Sequence, residues 1–152
     1  RQRQMCIRDR CIEVRKHTSL PMIYDEIVSD IPTLIRAVHE GGAGGFNLKI
    51  SKVGGLTKAK QMRDLCQELG LQITVEDTWG GDIVTATSAH VAASTKERSL
   101  LSVSFMNDWI KEHIAGHNPR SKTGFGHVPT GPGLGIEVDL SLLEEPLFSV
   151  GT

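Results

Sequence analysis

The chain has 152 residues, 23% of them charged, and a formal net charge of −1. This length supports one domain with a real core. The near-neutral charge excludes a basic nucleic-acid-binding or anionic-membrane surface as its organising feature, and no apolar run approaches the roughly 20 residues of a membrane-spanning helix. Cys6, Cys11 and Cys66 form no CxxC pair. So sparse and odd a count fits a reducing, cytoplasmic compartment better than a disulfide framework.

Residues 1–10, Arg1 to Arg10, show neither helical nor strand period. They are no secretory signal, because no apolar core follows the charges. The string resembles a translated sequencing-library adaptor. It is set aside as a non-native segment, which implies a chain truncated at its N-terminus.

Cys11 to His17 reads as the end of a helix, and Leu20 to Tyr24 as a short buried strand ending at Asp25-Glu26. Asp30 is a good N-cap with Pro32 in the first turn. Ile31, Leu34, Ile35 and Val38 then recur at helical spacing. Gly41 to Gly45 closes that helix, and Phe46 to Ile50 is the next strand. Thr57 is placed to cap a helix whose stripe is Leu56, Ala59, Met62, Leu65, Cys66 and Leu69, with Gly70 as its stop. Gln72 to Val75 is a third strand, ending at Glu76-Asp77. Gly80-Gly81 turns the chain, and Asp82 is expected to cap a helix of small residues running to about Ala93. Leu100 to Val103 is a fourth strand. Residues 107–152, rich in Gly, Pro and His, read as a covering segment with a short helix after Asp139.

Strand and helix thus alternate at a steady period, which implies a parallel α/β sheet. The intervals from Asp25 to Lys49 and from Lys49 to Asp77 fit the roughly 30 residues of one unit in an eight-unit barrel. Four strands are too few to close a barrel. Residues 11–106 are therefore read as strands five to eight, the C-terminal half of a (β/α)8 TIM-type barrel. The polar residues cluster at the C-terminal strand ends, the rim that carries chemistry in barrels and open parallel sheets alike.

Lys49 lies between Leu48 and Ile50. Burying an ammonium is costly unless it is paired or its pKa falls, and a lysine with a lowered pKa is a usable base near neutral pH. The simpler alternative is a solvated lysine. Asp25 offers a hard oxygen to a divalent cation or caps a loop, and Glu26 faces the other way behind it. Lys52 is expected to pair with Asp25 or Glu26. Glu76, Asp77 and Trp79 end the third strand. A carboxylate beside an indole suits a small cation, and the alternative is a Trp packed on a neighbouring loop. His113 and His117 are four apart, but Gly116 and Pro119 oppose a helix there, and the zinc-protease Glu is absent. Gly41 to Gly45 matches neither a P-loop nor a dinucleotide fingerprint.

Leu20-Pro21-Met22-Ile23-Tyr24-Asp25-Glu26 resembles the fifth barrel strand of the enolase superfamily, muconate-lactonizing-enzyme and mandelate-racemase type. Asn47 to Thr57, containing Lys49-Ile50-Ser51-Lys52, resembles the sixth. Gly131-Pro132-Gly133-Leu134-Gly135-Ile136 is similar to the family's C-terminal return segment. The resemblance implies that Asp25 is the last of three carboxylate ligands to Mg2+ and that Lys49 is one of two acid/base lysines. It also implies a small carboxylate substrate and a full-length homo-oligomer. Val75-Glu76-Asp77-Thr78-Trp79-Gly80-Gly81-Asp82-Ile83 is most similar to family enzymes that act on proline derivatives by dehydration or epimerisation. That similarity implies that Asp77 and Trp79 bind substrate, with Glu26, Lys52 and Glu76 supporting. The other carboxylate ligands, the second lysine and the capping domain have no counterpart in this sequence, so the isolated piece is expected to be inactive. Two alternatives are a sugar-acid dehydratase of the same superfamily and a non-catalytic, flavodoxin-like α/β binding domain. Lys49 is expected to be pushed towards its neutral form by apolar neighbours and a nearby divalent cation.

Overall fold

In the computed structural model, which describes residues 2–40, 42–148 and 150, four parallel strands lie side by side in chain order. They are β1 (Ile23–Tyr24), β2 (Gly45–Lys49), β3 (Gln72–Glu76) and β4 (Leu100–Val103). Helix α1 (Gln2–Arg15) precedes them, and α2 (Ile31–His39), α3 (Leu56–Glu68) and α4 (Gly81–Ala93) connect or follow successive strands. A doubly wound sheet reverses its strand order at a switch point. The uninterrupted order seen here is that of consecutive barrel staves, which removes the flavodoxin-like alternative.

Alternation along β2 and β3 sorts the two faces of the sheet. Phe46, Leu48, Ile73 and Val75 are fully buried and meet Leu34, Ala37, Ala59, Met62 and Cys66 from the helices. Each such large apolar side chain contributes about 1.5–3 kcal/mol on burial. Asn47, Lys49, Thr74 and Glu76 lie on the opposite face, partly exposed. Gly45 is required where β2 meets β3, since a Cβ there would stand 2.3 Å from the Gln72 carbonyl oxygen.

Several boundaries differ from expectation. Residues 2–10 are helical and continuous with Cys11 to Arg15, although they carry no apolar stripe. Gln, Arg and Met are good helix formers without one, and Arg8 reaches Glu40 beyond α2 at 2.7 Å. β1 keeps only two of its five expected residues. Pro21 has no N–H to give a ladder, and Leu20 is exposed. β2 ends at Lys49, not Ile50, because the Lys49 carbonyl accepts from Lys52 N and Val53 N in a tight turn. β3 extends one residue further, to Glu76. Thr57 does not cap α3. Gly55, at φ 104°, holds that position with no side-chain bond, in a conformation that favours glycine. Leu56 and Leu69, at the two ends of the predicted stripe, are exposed. Asp82 does not cap α4 either, for Gly80 does. The segment after Asp139 is one 3-10 turn, Leu140–Leu142. No helix among the described residues is long and apolar enough to cross a membrane.

The segment after β4 runs as a strap over α4. It begins with a 3-10 turn, Met106–Trp109, and includes a hairpin of β5 (Ser121–Lys122) and β6 (Phe125–Gly126). His90 on α4 donates to the Leu134 carbonyl at 3.0 Å. One carboxylate ties the strap to α4, and a second braces the strap internally. Asp82 accepts from Asn107 Nδ2, His113 Nδ1 and Ala115 N at 2.9, 3.0 and 2.9 Å. Asp108 accepts from Ser121 and from His117 Nε2, the latter at 2.7 Å. Burial alone would raise both carboxyl pKa values. The bonds from Asn107, His113 and Ala115 outweigh it at Asp82, and those from Ser121 and His117 outweigh it at Asp108, so both lie below the usual carboxylate value.

A carboxylate whose pKa is depressed by folding adds stability that is present above its unfolded value, about 3.9, and is lost as pH falls through the lower folded value. The strap is therefore expected to loosen below about pH 3.9. Asp108→Asn should flatten that acid limb in denaturant titrations repeated at several pH values, and an unchanged slope would contradict the assignment. A second expectation concerns the sheet edges. β1 and β4 have no outer neighbour among the described residues, and such parallel edges invite pairing. The isolated chain should self-associate in sedimentation velocity, whereas a monodisperse, cooperatively unfolding monomer would speak against this.

Candidate active site

The C-terminal ends of β1, β2 and β3 bring five charged side chains together. Asp25 follows β1 directly, Lys49 is the last residue of β2, and Glu76 is the last of β3. Lys49 and Glu76 stand opposite one another in the parallel register, so their side chains leave the sheet on the same face. The Lys49 Nζ lies 2.5 Å from Asp25 Oδ1, 2.8 Å from Glu26 Oε1 and 3.1 Å from Glu76 Oε2. Asn47, two residues earlier on that face, donates to the other Glu76 oxygen at 3.1 Å. The tight turn after β2, in which Lys52 N donates to the Lys49 carbonyl, brings the Lys52 side chain onto Glu26.

The carboxylates around Lys49 oppose the tilt towards neutrality expected of it beside apolar neighbours and a divalent cation. Burial does pull its pKa down, with the side chain only 13% exposed. The contacts with Asp25 and Glu76 act in the opposite direction and prevail, leaving it above the ordinary lysine value. Leu48 points to the other face of β2, and the residues that Lys49 meets come from just after β1 and from the end of β3.

Among the described residues, no group of three or more His, Cys, Asp or Glu is arranged to hold a metal ion. Asp25 is one hard oxygen donor at the rim, partly exposed and accessible. It fits a Mg2+ site as one ligand of several.

Asp77 and Trp79 are not placed as one carboxylate–indole pair. Asp77 is buried. Its Oδ2 accepts a hydrogen bond from Thr85 on α4, and its backbone N–H donates to Ser104 Oγ at 2.7 Å. Its Oδ1 is buried with no hydrogen-bond partner among the described residues. Trp79 is 60% exposed, and its ring centroid lies 5.8 Å from that of Trp109, the planes tilted by 50°. Trp109 itself is 74% exposed. Sequence reasoning missed Trp109. The available signal was that both tryptophans of the chain stand in loops just after strands, Trp79 after β3 and Trp109 after β4. Asp82 was missed in its actual role because its position suggested a cap. His113 and His117 do stack, with centroids 4.0 Å apart, but each is bonded to a carboxylate, Asp82 and Asp108 respectively. They brace the strap.

The chain is 44% identical over 139 residues to cis-3-hydroxy-L-proline dehydratase of Roseibium aggregatum, covering 91% of this chain and 38% of that protein. It is 30% identical to o-succinylbenzoate synthase of Bacillus subtilis, covering 87% of this chain and 36% of the relative. It thus spans less than two fifths of the length of these relatives, all of them enzymes. Among solved structures, a mandelate racemase/muconate lactonizing enzyme from Roseovarius nubinhibens superposes with a TM-score of 0.85 at 33% identity, over 93% of this chain and 38% of that one. An enolase-superfamily member from the same organism, complexed with magnesium, superposes with a TM-score of 0.87 at 29% identity, over 93% and 39% of the two chains. The family model described as enolase C-terminal domain-like matches residues 7–142. With consecutive parallel staves and a charged rim at their C-terminal ends, this chain belongs to that family.

Proposed function

We propose that this chain is the C-terminal part of an enzyme that removes the proton α to the carboxylate of a proline-type amino acid, and that its reaction is the dehydration of cis-3-hydroxy-L-proline. The observation that carries the reading is the Lys49 ammonium 2.5 Å from Asp25 across two neighbouring strand ends. A general base is thereby set beside a metal-ligand candidate. The similarity to the Roseibium dehydratase supports the substrate class.

Asp25 would hold Mg2+ together with ligands from outside this chain, and the cation would offset charge building up on the substrate carboxylate. With a cation on Asp25, one of the carboxylates that keep Lys49 protonated would be engaged elsewhere, and the added positive charge would lower the lysine pKa. Lys49 Nζ then takes the Cα proton. With a hydroxyl on Cβ, the electron pair left on Cα forms the double bond as the Cβ–O bond breaks, and the departing hydroxide leaves as water after gaining a proton. Without that hydroxyl the Lys49 ammonium returns the proton to the same face of Cα, and inversion would need a second acid on the opposite face, supplied from outside this chain. Glu26 and Glu76 hold the Lys49 amine at the rim, and Lys52 balances Glu26. The exposed, tilted indoles of Trp79 and Trp109 suit a cationic ring nitrogen. The unpartnered Asp77 Oδ1 is an acceptor that a substrate N–H would satisfy.

The test uses the full-length enzyme with Mg2+ in deuterated water. Lys49→Ala should lower turnover of cis-3-hydroxy-L-proline by about 10²–10⁴, the usual contribution of a positioned base, and should stop solvent deuterium entering Cα from the face that Lys49 serves. Normal turnover by that variant would return Lys49 to a purely ion-paired role. Trp79→Ala should raise KM about tenfold and change kcat less, because it removes binding common to substrate and transition state. An unchanged KM would make Trp79 a packing residue.

A further inference from the structure

Trp79 and Trp109 are the two tryptophans of this chain, and one buried carboxylate links the segments that carry them. Asp82 stands three residues after Trp79, at the start of α4, with its side chain wholly inaccessible. All three of its hydrogen bonds run to the strap: to Asn107, which shares a 3-10 turn with Trp109, and to His113 and Ala115 beyond it. Asn107 is buried as well and donates a second bond to the Pro119 carbonyl at 2.5 Å. The next residue, Asp108, is bonded to Ser121 and His117. The backbone leading into Trp109 is thus anchored while its indole stays in solvent.

On the other side of the link, Trp79 has φ 65°. That left-handed conformation is unusual for a bulky residue, and such strain persists only where the surroundings over-determine it. An exposed indole with little packing of its own gives no reason for it, whereas the Asp82 anchor three residues on does.

We propose that Asp82 is a positioning residue for substrate recognition: it fixes the Trp79 loop against the Trp109 turn, so that the two indoles form one preformed wall for the substrate cation. This rests on the reading above in which the indoles face the ring nitrogen. A receptor already ordered before binding loses less freedom when substrate arrives. Asp82→Asn keeps the shape but removes the charge that all three donors face, and its amide N–H₂ must meet either Ala115 N–H or the Asn107 and His113 donors, so it should loosen the link without opening a cavity.

The experiment compares Asp82→Asn with the parent full-length enzyme. The geometry of the indole pair is read from its exciton couplet in circular dichroism, identified as the signal that Trp109→Phe removes. Asp82→Asn should collapse that couplet and raise KM for cis-3-hydroxy-L-proline about tenfold, with kcat within about threefold. A folded variant with lowered thermal stability but an unchanged couplet and KM would overturn the proposal, leaving Asp82 a structural residue only. A fall in kcat with the couplet and KM intact would overturn it too. A collapsed couplet with an unchanged KM would uphold Asp82 as the residue that positions the indoles and would instead sink the nitrogen-binding reading. Should Asp82→Asn fail to fold, His113→Ala removes one of the three bonds and leaves the charge in place. The same two readouts then decide, with a weakened couplet and a raised KM expected, and no change in either counting against the proposal.

Discussion

The Lys49 ammonium holds the rim together. Three carboxylates from the ends of β1 and β3 converge on it, and without a cation at their centre they would repel one another. Asp25, Glu26 and Glu76 against Lys49 and Lys52 leave one net negative charge in the cluster. A site in that state can accept a further cation at modest electrostatic cost, and Asp25, at the end of β1, is partly open to solvent. Lys49 is mostly buried, while Asp25 is partly exposed and Glu26 exposed. The solvent side of the cluster can therefore rearrange, and the sheet side is fixed by the register of β2 and β3.

Periodicity made most of the architecture legible. The steady return of apolar strand, carboxylate and amphipathic helix located all four strands to within a few residues, and their alternation at one steady period implied parallel neighbours in chain order. What remained hidden depended on partners distant in sequence. Lys49 lies between Leu48 and Ile50 in the chain but between Asp25 and Glu76 in space, so the carboxylates that oppose its neutral form are not legible from its neighbours in sequence. Asp82 sits where an N-cap is expected, and the three donors that claim its side chain lie 25 to 33 residues further on. Trp109 was invisible for the same reason. An indole in a loop carries no period, and its neighbour is fixed only when the strap closes. The helix through residues 2–10 shows the converse, because propensity and the Arg8–Glu40 contact support a helix that carries no apolar stripe.

The inward face of the sheet changes how an incomplete barrel should be regarded. A half-barrel is expected to suffer because its interior side chains lose their partners. Here the interior face of β2, β3 and β4 carries Asn47, Lys49, Gln72, Thr74, Glu76 and Ser102. Asn47 bonds Glu76 and Ser102 bonds Thr74 without any help from missing strands. Water can cover such a face at little cost. The apolar residues Phe46, Leu48, Ile73 and Val75 are already sealed by the helices, so the core of this chain does not wait for the rest of a barrel. The vulnerability is confined to the open edges, where the backbone of β1 and β4 needs a neighbour. Completing the barrel would therefore add hydrogen-bonded staves more than it would add hydrophobic core. The same separation, apolar outside and polar within, allows a charged lysine to project from the middle of a parallel sheet.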